Sequence, residues 1–263
     1  MQINVNHQSV FAYTAGRAFD TKLPTIVFIH GAGADHSVWQ LQSRYFAHHG
    51  FNVLAVDLPG HGKSSGAALK SIEAIGAWNI TLLDALDIKQ AALIGHSMGS
   101  LAALESAGAH PQRVRKLALL GTAYPMQVSE QLLSAAKAND HAAIDMLNVW
   151  GLSPAAQINA NPVPGMWMSG ASLRLLERNA PDVIYTDLAA CNAYQAGLER
   201  AAKIICPTLI ISGKADVMTP ARAAKGLADT IPGAKTKVID GSGHTLMSEK
   251  PDAVLNALIE FLR

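Results

Sequence analysis

The chain has 263 residues, 49% of them hydrophobic and 16% charged, and 21 Lys and Arg against 20 Asp and Glu leave a formal net charge of +1. That balance, with the basic residues scattered rather than clustered, excludes an electrostatic footprint for nucleic acid or an anionic membrane. No apolar run approaches the ~18 residues needed to span a bilayer, so integral membrane contact is not expected either. The opening Met1-Gln2-Ile3-Asn4-Val5-Asn6 has neither the basic nor the apolar region of a secretion signal. Cys191 and Cys206 lack CxxC spacing and suit a reducing compartment, so a cytoplasmic location is expected.

Residues 3–5 and 9–14 predict a leading antiparallel hairpin. Continuous runs rich in Ile, Val and Leu follow at 25–29, 52–56, 91–94, 116–120, 208–211 and 235–239. Their lack of polar alternation is the pattern of strands buried on both faces of a parallel sheet. Helix-compatible segments at 38–49, 71–86, 98–109, 221–230 and 252–262 lie between them. Strand–helix alternation of this kind predicts an α/β fold with a mostly parallel, doubly wound sheet joined by right-handed crossovers. The rhythm breaks over 122–200, where no strand is evident and Pro154, Pro162, Pro164, Gly165, Gly170 and Pro181 punctuate helix-like pieces. A stretch that long without a strand reads as an inserted helical cap, within one domain spanning 1–263.

The strongest chemical signal is Gly95-His96-Ser97-Met98-Gly99, entered from the apolar strand 91–94 and left through the small-residue helix starting at Met98. Strand, G-x-S-x-G and helix in register describe a nucleophile elbow, in which a serine sits on a sharp turn that tolerates no bulky neighbours. The turn also puts Ser97 at a helix N-terminus, where free N–H groups favour developing negative charge.

A serine hydroxyl needs a base, and the base needs an orienting acid. Beyond the helix that follows Ser97 the remaining histidines are His141, in the helical stretch and read as solvent-facing, and His244, in the Gly241-Ser242-Gly243-His244 loop after the last strand. His244 is therefore the expected base. Asp216, directly after the strand 208–211, is the expected acid; Asp240 is the rival, only four residues from His244 and poorly placed to fold back on the ring. Asp216 could instead cap the helix near Pro220, a task Thr219 fits better. Oxyanion donors are expected from the backbone of Ala32 in His30-Gly31-Ala32-Gly33, with Gly33 as a further candidate, and from Met98. His30 and His96 are read as structural, as is the turn Asp57-Leu58-Pro59-Gly60-His61-Gly62. No HExxH, CxxC, GxxxxGK[ST] or GxGxxG element occurs, so neither a metal nor another cofactor is expected.

With His30-Gly31-Ala32-Gly33, Asp57 to Ser64, the elbow, Gly213-Lys214-Ala215-Asp216 and Gly243-His244 in place, the chain resembles the α/β-hydrolase superfamily over nearly its full length. The resemblance implies a Ser97–Asp216–His244 triad. It leaves open esterases, lactonases, carbon–carbon hydrolases and cofactor-free perhydrolases. Serine at the elbow argues against relatives that place aspartate there. Thr245 and His96 stand where carbon–carbon hydrolases often carry tryptophan and asparagine.

The reaction expected is hydrolysis of a small-to-medium carboxylic ester, a small apolar molecule, through an acyl-enzyme. Met126, Met146, Trp150, Met166, Trp167 and Met168 either line a permissive acyl pocket or fasten cap to core. Arg174 and Arg178 read as a solvated helix face. Carbon–carbon cleavage of a diketo acid, or lactone hydrolysis, is the alternative on the same machinery, and a non-catalytic binding protein is the alternative from another class.

Overall fold

The computed structural model describes residues 1–158, 160 and 162–263. Its single sheet has eight strands: β1 (Gln2–Val5), β2 (Gln8–Tyr13), β3 (Thr25–Ile29), β4 (Asn52–Val56), β5 (Ala91–His96), β6 (Val114–Leu120), β7 (Thr208–Gly213) and β8 (Lys235–Ile239). They are ordered β1-β2-β4-β3-β5-β6-β7-β8. The hairpin β1–β2 is antiparallel and joins β4 antiparallel, and every other pairing is parallel. β5 and β7 outrun their apolar runs at the carboxyl end, where backbone pairing continues through His96–Leu120 and Gly213–Ile239, and β6 starts two residues before its run, at Val114.

Period-2 alternation divides each central strand between two cores. Val27 and Ile29 of β3 point to one face, with Leu54, Val56 and Leu93. Ile26 and Phe28 point to the other, with Val53, Ala55, Ala92 and Ile94. Both faces are apolar, which is why no polar alternation shows in the sequence. β8 departs from this: four of its five residues are exposed. It is the sheet edge, and Lys235 and Lys237 discourage a further strand from pairing there.

Outside the sheet run α1 (Gln40–Ala47), α2 (Ile72–Ala85) and α3 (Met98–Ala109). The predicted helix at 38–49 begins instead as a 3-10 turn, His36–Trp39, whose cap Asp35 accepts from the Ser37 amide. Ser71 caps α2 through the Ala74 amide. α3 is buried along almost its whole length, packed between the sheet, α2 and a later helix. Between β6 and β7 come α4 (Glu130–Lys137), α5 (His141–Gly151), α6 (Pro154–Gln157), α7 (Met168–Glu177), α8 (Val183–Ala193) and α9 (Gly197–Ala201), with no strand among the described residues. Two small apolar clusters hold this segment together, one around Leu132, Ala136, Ala143 and Leu188, the other around Leu152, Ala156 and Met168. The chain closes with α10 (Lys225–Thr230), preceded by a 3-10 turn at Ala221–Ala224, then α11 (Leu246–Glu249) and α12 (Pro251–Leu262). Among the described residues no helix is long and apolar enough to cross a membrane.

Candidate active site

Ser97 joins β5 to α3 with φ 52° and ψ −120°. A non-glycine residue held there costs on the order of 1–3 kcal/mol and persists only where its surroundings over-determine it. Here the Ser97 amide donates to the Leu120 carbonyl at 2.9 Å, and the Ser97 carbonyl accepts from the Ser100 amide at 2.8 Å and the Ser100 hydroxyl at 2.6 Å. Both flanking glycines are sterically required. A Cβ on Gly95 would run into the Gly99 carbonyl, and one on Gly99 into the carbonyl oxygens of Ile29 and His30. Met98 opens α3, so its amide has no intrahelical partner.

The carboxyl ends of β7 and β8 bring Asp216 and His244 together. Asp216 Oδ2 accepts from His244 Nδ1 at 2.8 Å, which assigns the ring hydrogen to Nδ1 and leaves Nε2 as the basic nitrogen. Asp216 Oδ1 accepts from the amides of Met218 at 2.9 Å and Thr219 at 2.8 Å. Burial alone would raise the Asp216 carboxyl. The positive charge His244 can carry and the hydrogen bonds from His244 and Thr219 outweigh it, holding the carboxyl well below the usual carboxylate range. Thr219 corrects the sequence reading: it caps no helix. Its hydroxyl donates to Asp216 Oδ2 at 2.7 Å and lies 3.0 Å from His244 Nδ1. Asp240 is at the surface, ion-paired with Lys214 at 2.8 Å. His141 is exposed between Asp145 and Glu177.

His96 Nε2 donates to the His244 carbonyl at 2.9 Å and so helps hold the loop that carries the ring. Burial, with the charge of His244 next, pushes the His96 imidazole down to about 3, which keeps it neutral. The buried Glu249 tightens the same loop, accepting from the Gly243 amide at 3.0 Å, the Ser153 amide at 3.1 Å and the Thr245 hydroxyl at 3.1 Å. Nothing in the local sequence marks Glu249, because all three donors reach it only after folding.

A cavity of about 380 Å³ opens at Ser97, His244 and Ala32 and extends between the sheet edge and the α4–α8 segment. Trp150, Met126, Met166 and Met168 are among the residues that line it. Trp167 does not: it is 61% exposed, with its ring laid over Gly170. Met166, Trp167 and Met168 are consecutive, and the start of α7 turns Met168 inward and Trp167 out. Gly33 departs from the sequence reading as well, since its amide donates to Asp187 Oδ2 at 2.8 Å and is not free for an oxyanion. The described lining includes no Lys, Arg, Asp or Glu side chain. Arg174 and Arg178 are exposed outside it. Asp35, His36 and Asp57 have ligand atoms close enough to share a cation. Those atoms already bond one another and nearby amides: His36 gives its amide and ring N–H to Asp57, and Ser37 gives its amide to Asp35.

The family model of the α/β hydrolase fold matches residues 24–251. The chain belongs to the α/β hydrolase family. It is 30% identical over 250 residues to the dihydrolipoyllysine-residue acetyltransferase component of the acetoin cleaving system of Pseudomonas putida, covering 90% of this chain and 63% of that protein, so the chain spans under two thirds of that relative. It is 27% identical over 249 residues to (E)-2-((N-methylformamido)methylene)succinate hydrolase of Acinetobacter baylyi, covering 90% of this chain and 89% of that one. The crystal structure of the enol-lactonase from Burkholderia xenovorans superposes with a TM-score of 0.87 at 24% identity, over 100% of this chain and 99% of that chain, a likeness of fold. Within this α/β hydrolase Ser97, the hydrogen-bonded Asp216–His244 pair and the cavity converge at the carboxyl edge of the sheet, where β5, β7 and β8 end.

Proposed function

We propose that this α/β hydrolase cleaves a neutral carboxylic ester with an apolar acyl group, through an acyl-enzyme on Ser97. Ser97 Oγ attacks the ester carbonyl while His244 Nε2 takes its proton, and the oxyanion accepts from the Ala32 and Met98 amides. The intermediate collapses as the protonated ring returns the proton to the departing alcohol. Water then repeats the sequence and releases the acid. Asp216 keeps the imidazole in the tautomer this needs and stabilises its cation. The segment 122–200 serves as the cap over the acyl group.

The observation that carries the reading is the 2.8 Å Asp216–His244 pair beside a strained elbow serine, opening on a cavity whose described lining includes no Lys, Arg, Asp or Glu side chain. An anionic substrate such as a diketo acid would be desolvated there with no counter-charge, which is costly. The test is covalent labelling of Ser97 by a fluorophosphonate together with a panel of p-nitrophenyl esters, lactones and a diketo acid. Turnover of the diketo acid above that of the esters, or no labelling at Ser97, overturns the proposal.

Pocket geometry gives a second expected result. Trp150 lines the cavity, so Trp150→Ala should move the preferred acyl chain towards longer esters. Each methylene newly accommodated contributes about 0.8 kcal/mol, roughly fourfold in kcat/KM. Trp167→Ala should leave the length profile in place, because that ring faces solvent. An acyl-length series read beside Tm on both variants checks this; a destabilised Trp150→Ala with an unmoved profile would mean that the ring only packs.

A further inference from the structure

Asp187 lies buried on α8, outside the lining of the cavity to which its neighbours Leu188 and Cys191 contribute. Its Oδ2 accepts from two separate parts of the core: the Gly33 amide and His61 Nε2, both at 2.8 Å. Its Oδ1 is buried without a partner among the described residues. The Gly33 carbonyl in turn accepts from Asn179 Nδ2 at 2.7 Å. Both polar groups of Gly33 are thus held by the segment between β6 and β7. Gly33 has φ +63°, and a Cβ there would press on Leu176 and Ile184 of that segment at 3.1 Å. The next residue back is Ala32, the oxyanion donor of the proposed reaction.

Counting hydrogens shows what the pair holds. His61 Nδ1 lies 3.0 Å from the Pro59 carbonyl, which can only accept, so Nδ1 carries a hydrogen. Nε2 faces a carboxylate oxygen that already accepts the Gly33 amide, so a second hydrogen sits between His61 and Asp187. The arrangement is an imidazolium on a carboxylate. Burial works against the cation, but the Asp187 charge and hydrogen bond, the Pro59 carbonyl and the Asp57 charge raise the His61 imidazole overall. The other titratable groups that face the pair are His30 and Cys191. The His30 ring is 4.8 Å from that of His61 and neutral, since its Nε2 accepts from the Leu58 amide. Burial pushes the Cys191 thiol up, so it stays protonated. A buried ion pair with an orphaned oxygen is poorly explained by stability, because apolar replacements of such pairs are often neutral or stabilising.

We propose that Asp187 and His61 are positioning residues for the oxyanion loop: by gripping Gly33 from α8 they set where the Ala32 amide points during acyl transfer. The cap segment would then shape the reaction rate as well as the substrate pocket. This rests on the acyl-enzyme reading above.

The test measures kcat, KM, Tm and pH dependence with p-nitrophenyl acetate, whose acyl group is too short to depend on the cavity walls. Asp187→Ala should lower kcat roughly 10–10²-fold, somewhat less than outright removal of an oxyanion donor, with KM nearly unchanged. Its affinity for a boronic acid, which places an oxygen in the oxyanion site once bound to Ser97, should fall by the same factor. Asp187→Asn can still accept from Gly33 and should recover most of kcat at neutral pH. For a histidine raised in the folded protein, the pair is complete below the ordinary histidine value and is lost as pH rises through the raised one. The wild type should therefore show an alkaline fall in kcat that is absent in Asp187→Asn, whose amide oxygen accepts from Gly33 with no ion pair to lose. A less stable Asp187→Ala with kcat within twofold of wild type overturns the proposal. Should that variant not fold, persistence of the alkaline fall in Asp187→Asn overturns it instead. Fluorophosphonate labelling of wild-type Ser97 separates the two readings: without labelling the acyl-enzyme mechanism fails, and with labelling but unchanged variants only the positioning role does.

Discussion

Ser97→Ala is expected to lower kcat by roughly 10⁴–10⁶, His244→Ala by a similar factor, and the double variant by little more than either. Non-additivity follows from how the two groups act. Without the serine there is no nucleophile for the base to activate, and without the base the hydroxyl stays protonated at neutral pH. What remains is binding and the backbone donors, which the substitutions leave in place. Ser97→Ala also relieves little strain, since alanine is no better suited to φ 52° than serine, so Tm should scarcely move. The measurement is kcat on a reactive ester with Tm alongside. A Ser97→Ala protein that keeps more than a few per cent of the activity with Tm intact refutes the mechanism.

Asp216→Asn should be nearly as damaging, on the order of 10⁴ in kcat, because an amide nitrogen facing the ring stabilises the wrong imidazole tautomer. The carboxylate is held by His244, by two amides and by the Thr219 hydroxyl, so the variant also disturbs a set of donors built for an anion. Asp240→Asn should stay within about twofold, since exposed ion pairs contribute little. The sign of the pH effect follows from the depressed Asp216 carboxyl. Its stabilising contribution is present at and above the ordinary carboxylate range and disappears only as pH falls through the lowered folded value. Acid unfolding of Asp216→Asn should consequently lack that step. Side-by-side kinetics of the two variants decide the acid; a larger loss in Asp240→Asn would reassign it.

How much of this was readable along the chain depends on the range of the forces involved. The elbow was legible because its constraint is local: Gly95, Ser97 and Gly99 answer clashes within one turn and the strand beside it. The strands were legible because burial on both faces removes polar residues from the run itself, as in β3 and β4. Asp216 and His244 could be paired because parallel strands deliver their carboxyl ends to one edge, and each residue follows such a strand. β8 defeated the same rule. Lys235, Thr236 and Lys237 set its run apart from the others, and its place at the end of the sheet order leaves them exposed.

The chain alone does not reveal contacts between its distant parts. Gly33 meets Asp187 across 154 residues and His61 meets it across 126, and no periodicity announces such a meeting. Thr219 passes locally for a helix cap, but its hydroxyl donates to Asp216 and meets the ring of His244, 25 residues away. Trp167 and Met168 are both large and apolar, and the orientation of α7 alone decides which of them faces the cavity. By itself the sequence determined the layers and the sheet edge to which Ser97, Asp216 and His244 are brought, because these depend on steric limits and burial felt within a few residues. The tertiary structure decided which carboxylate grips which loop and which side chains wall the cavity, because hydrogen bonds act only over about 3 Å and such pairs form only once the whole fold has brought them together.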